Sequence, residues 1–176
     1  MMLRASRLRL EPIEPHHAEA FFAGLGDERL YEFIDDHPPV SVETLRARFA
    51  ELATRRSPDG SQAWLNWAVW SDDEDRYLGY VQATILENRR VQIAYVLFRD
   101  AWGKGFAREA VAAMLAHLRE HRKVNRFQAT VDPRNHRSIA VLSALGFSHD
   151  RCRPAAGQIR GVIVDESIYL LVPARR

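Results

Sequence analysis

A glycine-rich turn near the middle of the chain has the residue types and spacing of an anion-binding site. It reads Trp102-Gly103-Lys104-Gly105-Phe106-Ala107 and stands between a strand-like run and an amphipathic, helix-like run. Glycines let a backbone approach an anion without interference from Cβ. The unpaired N–H groups of a helix N-terminus lie at the positive end of the helix dipole and suit a pyrophosphate. We therefore expect a phosphate-bearing ligand here, with Lys104 either adding a charge or facing solvent.

Two common phosphate-binding motifs fit this turn poorly. A P-loop requires Gly-x-x-x-x-Gly-Lys-Ser/Thr, and the glycine spacing differs from that here. A dinucleotide-binding fingerprint requires a third small residue where Arg108 stands, and it normally follows the first strand of a βαβ unit. This turn instead follows three closely spaced strand-like segments, so neither motif accounts for it.

A second motif follows the turn after about thirty residues. Asn135 and Ser138 are three residues apart and share one face of a helix predicted from Arg134 to Leu145, with Gly146 as its stop. Taken alone, the pair is typical of helix capping, with Asn135 or Asp132 as the N-cap and Ser138 in the first turn.

The elements that must position these motifs form a mixed α/β pattern, which predicts a single domain over residues 1–176. Strands are predicted at 8–13, 64–70, 77–86, 91–98, 126–131, 147–153 and 161–172, and helices after Pro15, after the N-cap Ser41, at 105–121 and at 134–145. Short turns at 72–75, expected to be solvated, and at 87–90 favour an antiparallel meander. We expect a mixed, mostly antiparallel sheet of about seven strands with helices on both faces.

The two motifs together resemble the GNAT superfamily of N-acetyltransferases. The turn matches that family's Gln/Arg-x-x-Gly-x-Gly/Ala loop at Gly105 and Ala107, and the second motif matches its Asn-x-x-Ser helix ending in Leu-Gly-Phe. Trp102 departs from the first position, where an aromatic residue is typical of the RimJ/RimL-like branch. Ile93-Ala94-Tyr95-Val96 and the segments 8–10 and 161–170 also resemble that branch. The resemblance covers nearly the whole chain and is weakest over 27–61 and 152–160.

The resemblance implies that the fourth and fifth strands, 91–98 and 126–131, splay apart and admit the pantetheine of acetyl-CoA. It implies acetyl transfer to a primary amine, of a protein N-terminus or a small molecule, by direct attack through a tetrahedral intermediate. A backbone N–H of Val96 or Leu97 would polarise the thioester carbonyl. The implied cofactor contacts are Val96, Leu97, Phe98, Trp102, Gly103, Lys104, Gly105, Phe106, Ala107, Asn135 and Ser138.

The resemblance also assigns catalytic roles. Many members place a tyrosine acid seven residues after the motif's Asn, where this chain has Leu142. Ser138 therefore becomes the candidate that returns a proton to the CoA thiolate, and Asn135 would bind the pantetheine arm or brace the backbone. A non-catalytic module that binds or senses acyl-CoA is the alternative, and release of CoA thiol with an amine panel separates the two.

The resemblance implies that the segment between the first strand and the second helix walls the acceptor side. In this chain it is an acidic stretch, 27–36, with five carboxylates and one arginine. These charges either form a solvated helix end or set up a negative potential that attracts a cationic amine. In the second case Asp35 or Asp36 would orient the ammonium or accept its proton. Trp64 and Asn66 are further candidates for the acceptor pocket, and Trp67 should face the opposite side of its strand.

Composition excludes several other classes of protein. The net charge of +2 is scattered, so it predicts no nucleic-acid-binding stripe, and no apolar run reaches the roughly 18 residues of a membrane span. The single cysteine, Cys152, suits a reducing, cytoplasmic compartment and has no neighbour that would activate it as a nucleophile. His117 and His121 have helical metal-ligand spacing without a third ligand, so we expect no metal. Either a monomer or a homodimer is compatible with the sequence.

Overall fold

The computed structural model describes residues 1–86 and 90–172, so residues 87–89 of the predicted 87–90 turn lie outside the described part. Four α-helices are present among the described residues: α1 (Ala18–Leu25), α2 (Val42–Ala53), α3 (Phe106–Arg122) and α4 (His136–Ala144). The strands are β1 (Leu3–Arg4), β2 (Leu8–Pro12), β3 (Ala63–Ser71), β4 (Arg76–Ile85), β5 (Val91–Leu97), β6 (Phe127–Val131), β7 (Ser148–Ile159) and β8 (Val162–Leu171).

The eight strands form one sheet in the order β1-β2-β3-β4-β5-β6-β8-β7. All neighbours are antiparallel except β5 and β6, which confirms the predicted mixed, mostly antiparallel sheet. About seven strands were predicted, and the sheet has eight. The extra strand, β1, has only two residues, and a segment that short shows no alternation of polar and apolar side chains.

Helices cover both faces of the sheet, as predicted, and each face has its own apolar core. Residues of α3 and α4, such as Met114 and Leu142, pack with Trp67 on one face. Residues of α1 and α2, such as Phe21 and Phe49, pack on the other. Among the described residues, no helix is long and apolar enough to cross a membrane.

The β5–β6 junction is where the sheet opens. These strands pair in parallel at Val91 with Phe127 and at Gln92 with Gln128, and nowhere else among the described residues. They correspond to the fourth and fifth strands of the sequence prediction, because β1 shifts the count by one. Beyond Gln92, the side of β5 that is turned away from β4 therefore faces a gap, and the predicted splay of the two strands is confirmed.

Candidate active site at the split between two strands

A cleft of about 760 Å³ lies at this split. Its walls come from β5, β6, the 101–108 loop, α4, the 157–166 part of the β7–β8 hairpin and the 29–36 segment. The sheet opening, the α3 N-terminus and the second sequence motif thus meet at one place, although they are distant along the chain.

The glycine turn presents its backbone to this cleft. Gly103 and Gly105 line it and have φ values of 75° and 80°, in the left-handed region that favours glycine. A Cβ on Gly103 would have no protein atom within 4 Å, and one on Gly105 would have only the Arg7 guanidinium at 3.7 Å. Space in front of the turn is therefore open to a ligand.

The helix that follows supplies hydrogen-bond donors to the same space. The first hydrogen bond of α3 runs from the Glu109 N–H to the Gly105 carbonyl at 3.1 Å. The three residues between Gly105 and Glu109 come too early in the helix for their N–H groups to find a carbonyl one turn before them. The N–H groups of Phe106, Ala107 and Arg108 therefore have no partner within α3. Open space, glycine backbone and a positive dipole end together fit the pyrophosphate of CoA.

The outer side of the turn is held by charged residues from other parts of the chain. The Arg7 guanidinium binds the Glu109 carboxylate at 2.8 Å and reaches the Lys104 carbonyl at 3.4 Å. The Lys104 ammonium lies 2.7 Å from Glu74 Oε1 and is not among the residues that line the cleft. The Lys104 side chain is thus exposed and paired with Glu74, and the other three residues of the 72–75 turn are exposed, as predicted for a solvated turn.

Alternation along β5 decides between the two predicted oxyanion donors. Val91 donates its N–H to Arg126, on the β6 side, whereas Phe98 donates to a carbonyl of β4. Because N–H groups of a strand alternate between its two neighbours, odd-numbered residues of β5 face β6 and even-numbered ones face β4. The Leu97 N–H therefore points into the split, and the Val96 N–H points to β4.

Phe98 does not take the predicted position in the cofactor site. Its side chain is 5% exposed and its ring centroid lies 5.3 Å from that of Phe21, within the core on the α1 side. Its N–H is already bound to the Leu78 carbonyl at 2.7 Å. The prediction failed because it treated the end of β5 as one contact surface, whereas successive side chains alternate faces.

Trp102 connects the turn to both β5 and α4. Its Nε1–H donates to the Leu97 carbonyl at 2.8 Å, and the Arg137 guanidinium lies 4.0 Å from its ring centroid. Such a cation–π contact holds the two side chains together across the cleft mouth. Arg137 lies between Asn135 and Ser138 in the second motif, and the sequence alone predicted no role for it.

A pair of hydroxyl groups crosses the cleft from β5 to α4. The Tyr95 phenol oxygen lies 2.8 Å from Ser138 Oγ and 3.1 Å from the Ser138 carbonyl oxygen. Burial raises the pKa of Tyr95 to about 12, and the Ser138 hydrogen bond only partly offsets that rise. Tyr95 is therefore a protonated donor at neutral pH. It stands in the Ile93–Val96 segment that resembles the branch, but no site role was predicted for it.

Asn135 acts as a helix cap in this structure. Its side-chain oxygen accepts the Ser138 N–H at 3.1 Å, which fixes the first turn of α4 and with it the Ser138 side chain. It also lines the cleft. Leu142, where many family members have a tyrosine, is 1% exposed and belongs to the core.

A second cavity of about 520 Å³ opens beside the cleft, on the α2 side of the sheet. Trp64 and Asn66, the candidates for the acceptor pocket, line it together with Gln82. Asp36 and Arg48 line both spaces and form an ion pair of 2.7 Å at their junction. Asp35 lines only the cofactor cleft. Trp67 lies on the opposite face, as expected.

The acidic segment is not the free negative surface that its local sequence suggested. Each of its carboxylates contacts an arginine: Asp27 with Arg29, Glu28 with Arg160, Glu32 with Arg137, Asp36 with Arg48, and Asp35 with the backbone N–H of Arg160. The negative potential was expected because Arg29 is the only basic residue within the segment. In the folded chain, arginines of α2, α4 and the hairpin tip also contact its carboxylates.

Asp36 is a poor candidate for a proton acceptor in this setting. Partial burial acts to raise its pKa, but hydrogen bonds from Arg48 and the His37 N–H outweigh burial and leave the pKa below its usual value. A carboxylate with a lowered pKa holds a proton weakly. Asp36 therefore suits orientation of a substrate group better than removal of its proton.

The histidine pair and the cysteine considered from the sequence lie outside both cavities. His117 and His121 stack on α3 with ring centroids 4.6 Å apart, and Cys152 is exposed on β7. Within residues 1–86 and 90–172, no group of three or more His, Cys, Asp or Glu side chains could hold a metal ion.

Comparison with known proteins agrees with this geometry. A family model described as "Acetyltransferase (GNAT) domain" matches residues 7–148. The uncharacterized N-acetyltransferase p20 of Bacillus licheniformis is 26% identical over 172 residues, which cover 97% of this chain and 95% of p20.

Solved structures share the fold over nearly the whole length of the chain. A GNAT-family acetyltransferase from Bacillus anthracis has a TM-score of 0.83 at 21% identity, with 98% of each chain covered. The ribosomal L7/L12 alpha-N-protein acetyltransferase RimL, solved in complex with coenzyme A, has a TM-score of 0.86 at 19% identity, again with 98% of each chain covered. Because the family model spans most of the sequence, this chain belongs to the GNAT family and is an acetyl-CoA-dependent acetyltransferase.

Proposed function

We propose that this protein transfers the acetyl group of acetyl-CoA to a primary amine, with Ser138 as the proton donor to the departing thiolate. The observation that carries the proposal is the Tyr95–Ser138 hydroxyl pair, which stands in the cleft where β5 and β6 separate. A module that only bound acyl-CoA would need the glycine turn but would have no use for a paired proton donor at the split.

Binding of CoA is proposed to use the glycine turn for the pyrophosphate. Gly103 and Gly105 admit the phosphates, and the first N–H groups of α3 donate to them. The pantetheine arm then lies along the unpaired part of β5. Trp102 and Arg137 flank the mouth, where the guanidinium offers a further positive charge to the anion.

The thioester carbonyl is proposed to accept a hydrogen bond from the Leu97 N–H. That group points into the split, where the described part of β6 pairs only with Val91 and Gln92 and leaves Leu97 without a β-sheet partner on that side. A donor fixed in this position stabilises the charge that develops on the carbonyl oxygen as the amine attacks. A new C–N bond forms, the C–S bond breaks, and the sulfur leaves as a thiolate.

Ser138 is proposed to give its hydroxyl proton to that thiolate and to regain a proton through Tyr95, which is reprotonated from solvent. The proton that the attacking nitrogen loses as the amide forms passes to water, so the enzyme returns to its starting state. With its pKa raised to about 12, Tyr95 remains protonated and can donate to the serine oxygen. A CoA thiolate, with an ordinary thiol pKa of about 8.5, is already a fair leaving group, so this assistance need only be modest.

We favour the N-terminal amine of a protein chain as the acceptor. The polar side chains that line the cavity next to the cleft include the neutral Asn66 and Gln82, and the charges of Asp36 and Arg48 balance each other in an ion pair. These groups match the amide groups of a peptide better than a polycation. RimL, which shares the fold, is named for acetylating the alpha-amine of ribosomal L7/L12.

A panel of acceptors tests the proposal. Release of CoA thiol from acetyl-CoA is followed with short peptides, polyamines, amino acids and aminoglycosides under identical conditions. We expect turnover with peptides that have a free N-terminus and none with the same peptides blocked at the N-terminus. Turnover with polyamines alone would contradict the acceptor and leave acetyl transfer intact, and no turnover with any amine would contradict the enzyme.

A further inference from the structure

Lys104 stands between two glycines that line the cofactor cleft, yet its own side chain is bound elsewhere. Its ammonium lies 2.7 Å from Glu74 Oε1, on the turn that joins β3 to β4. The ammonium would have to leave this carboxylate to reach a phosphate in the cleft. The ion pair therefore withholds one positive charge from the proposed pyrophosphate site.

Glu74 is itself held in place for this contact. Its second oxygen accepts from Arg76 Nε at 3.0 Å and Nη2 at 2.6 Å, while its backbone N–H donates to Ser71 Oγ at 3.1 Å. Arg76 in turn binds Asp100 at 2.9 Å, just before the glycine turn. Hydrogen bonds from Lys104 and Arg76 hold the pKa of Glu74 below its usual value, so the carboxylate is charged at neutral pH.

We propose that Glu74 competes with the phosphates of CoA for the Lys104 ammonium and thereby weakens CoA binding. Both competitors are anions, and an ion pair as exposed as Lys104–Glu74 is weak enough to exchange readily. The acidic turn then acts as a positioning element that sets cofactor affinity from outside the cleft. This inference rests on the proposed function only in requiring that the glycine turn binds CoA.

Substitution of Glu74 distinguishes two roles for this residue: competition with CoA for Lys104, and structural support of the glycine turn. If Glu74 only held the turn in shape, Glu74→Gln would weaken CoA binding. Under competition the same variant binds CoA about two- to fivefold more tightly at low salt, the factor expected for release of an exposed ion pair. Asp73→Asn is the matched control, because it removes the same charge from the same turn at an exposed residue and should leave the dissociation constant unchanged.

Two further arms make the test specific to Lys104 and to phosphate. In a Lys104→Met background, Glu74→Gln should produce no gain in CoA affinity. Binding of acetyl-pantetheine, which lacks the phosphates, should be unaffected by Glu74→Gln in either background. The gain should also shrink at high salt, since exposed charges are screened within about a Debye length.

The contrary outcomes are distinct. A dissociation constant for CoA that is unchanged or raised in Glu74→Gln, or an equal gain in the Lys104→Met background, would overturn the competition. A wild-type protein that binds no CoA at all would overturn the proposed function and the competition with it. Calorimetric titration of the full chain with CoA provides each of these values.

Discussion

The phenol oxygen of Tyr95 lies 2.8 Å from Oγ of Ser138, and this hydrogen bond joins β5 to α4 across the cofactor cleft. Asn135 holds the backbone of the same serine from the other side, at 3.1 Å. Ser138 is therefore oriented by two residues from different elements. These contacts hold the Ser138 oxygen at a defined position in the split, as a proton donor requires.

Replacing Ser138 by alanine tests its role as the acid. The change keeps the N–H that Asn135 caps, so the start of α4 should be preserved. We expect kcat to fall by about ten- to a hundredfold, at the low end of general-acid effects, because the thiolate is a fair leaving group without help. The dissociation constant for CoA should change much less. Full kcat with a good acceptor would show that Ser138 is only a residue of the helix.

Tyr95→Phe examines whether the two hydroxyls act as a unit. We expect kcat to fall by about tenfold, because Ser138 loses both its orientation and its proton source. In the double variant with Ser138→Ala, the loss should be no larger than in Ser138→Ala alone, since interacting residues are not additive. Tyr169→Phe, which removes a hydroxyl on β8, is the control and should leave kcat unchanged. Losses that multiply in the double variant would mean that the residues work independently.

Gly105→Val tests the glycine turn as the phosphate site. The residue has a φ of 80°, and its added side chain would stand in the open space in front of the turn. Loss of two charge-assisted hydrogen bonds costs about 3 kcal/mol, which corresponds to a dissociation constant for CoA about a hundredfold higher. Gly60→Val is the matched control, because Gly60 has a φ of 74°, equally open space, and a position outside the cleft. If the two variants bound CoA with equal affinity, the glycine turn would not be the phosphate-binding site.

Acidification should destabilise the fold through a buried histidine. His17 is 2% exposed, its Nδ1 accepts the Glu14 N–H at 3.0 Å, and its ring packs 5.1 Å from Tyr77. Burial is the main cause that lowers its pKa below 6.5. Below about pH 6.5, His17 is therefore protonated more readily in the unfolded chain than in the folded chain. The free energy of unfolding consequently falls as the pH falls.

Urea unfolding between pH 8 and pH 5 measures this effect. Each histidine of this kind contributes at most about 1.4 kcal/mol per pH unit. The slope should be smaller in His17→Gln and unchanged in His149→Gln, which alters an exposed residue of β7. His117, whose pKa is also lowered mainly by burial, should leave a residual slope in the same direction. An unchanged slope in His17→Gln would exclude His17 as a source.

Features that depend on neighbouring residues could be predicted from the sequence. The Ser41 cap of α2, the Asn135 cap of α4 and the positive-φ glycines before α3 follow from local hydrogen bonding and backbone sterics. The splay of β5 from β6 was also predicted, through a resemblance whose two motifs flank β6. These features need no knowledge of which distant side chains meet.

Contacts between distant residues could not be predicted in this way. Tyr95 and Ser138 are 43 residues apart, and Lys104 and Glu74 are 30 apart, so no local pattern connects them. The ion pairs of the acidic segment could not be predicted for the same reason, since Arg48 and Arg160 reach it only in the folded chain. The predicted cofactor contact of Phe98 was wrong because successive side chains point to opposite faces of the sheet, and Phe98 points to the face away from the cleft.

The central claim is that the cleft transfers an acetyl group to an amine, and following the acetyl group itself tests it most directly. Acetyl-CoA labelled in the acetyl group is incubated with the full chain and a peptide that has a free N-terminus. We predict that label appears on the peptide's α-amine in equal amount to the CoA thiol released, and that Ser138→Ala slows both together. Tight CoA binding with no labelled peptide and no thiol release, across the whole acceptor panel, would contradict the account.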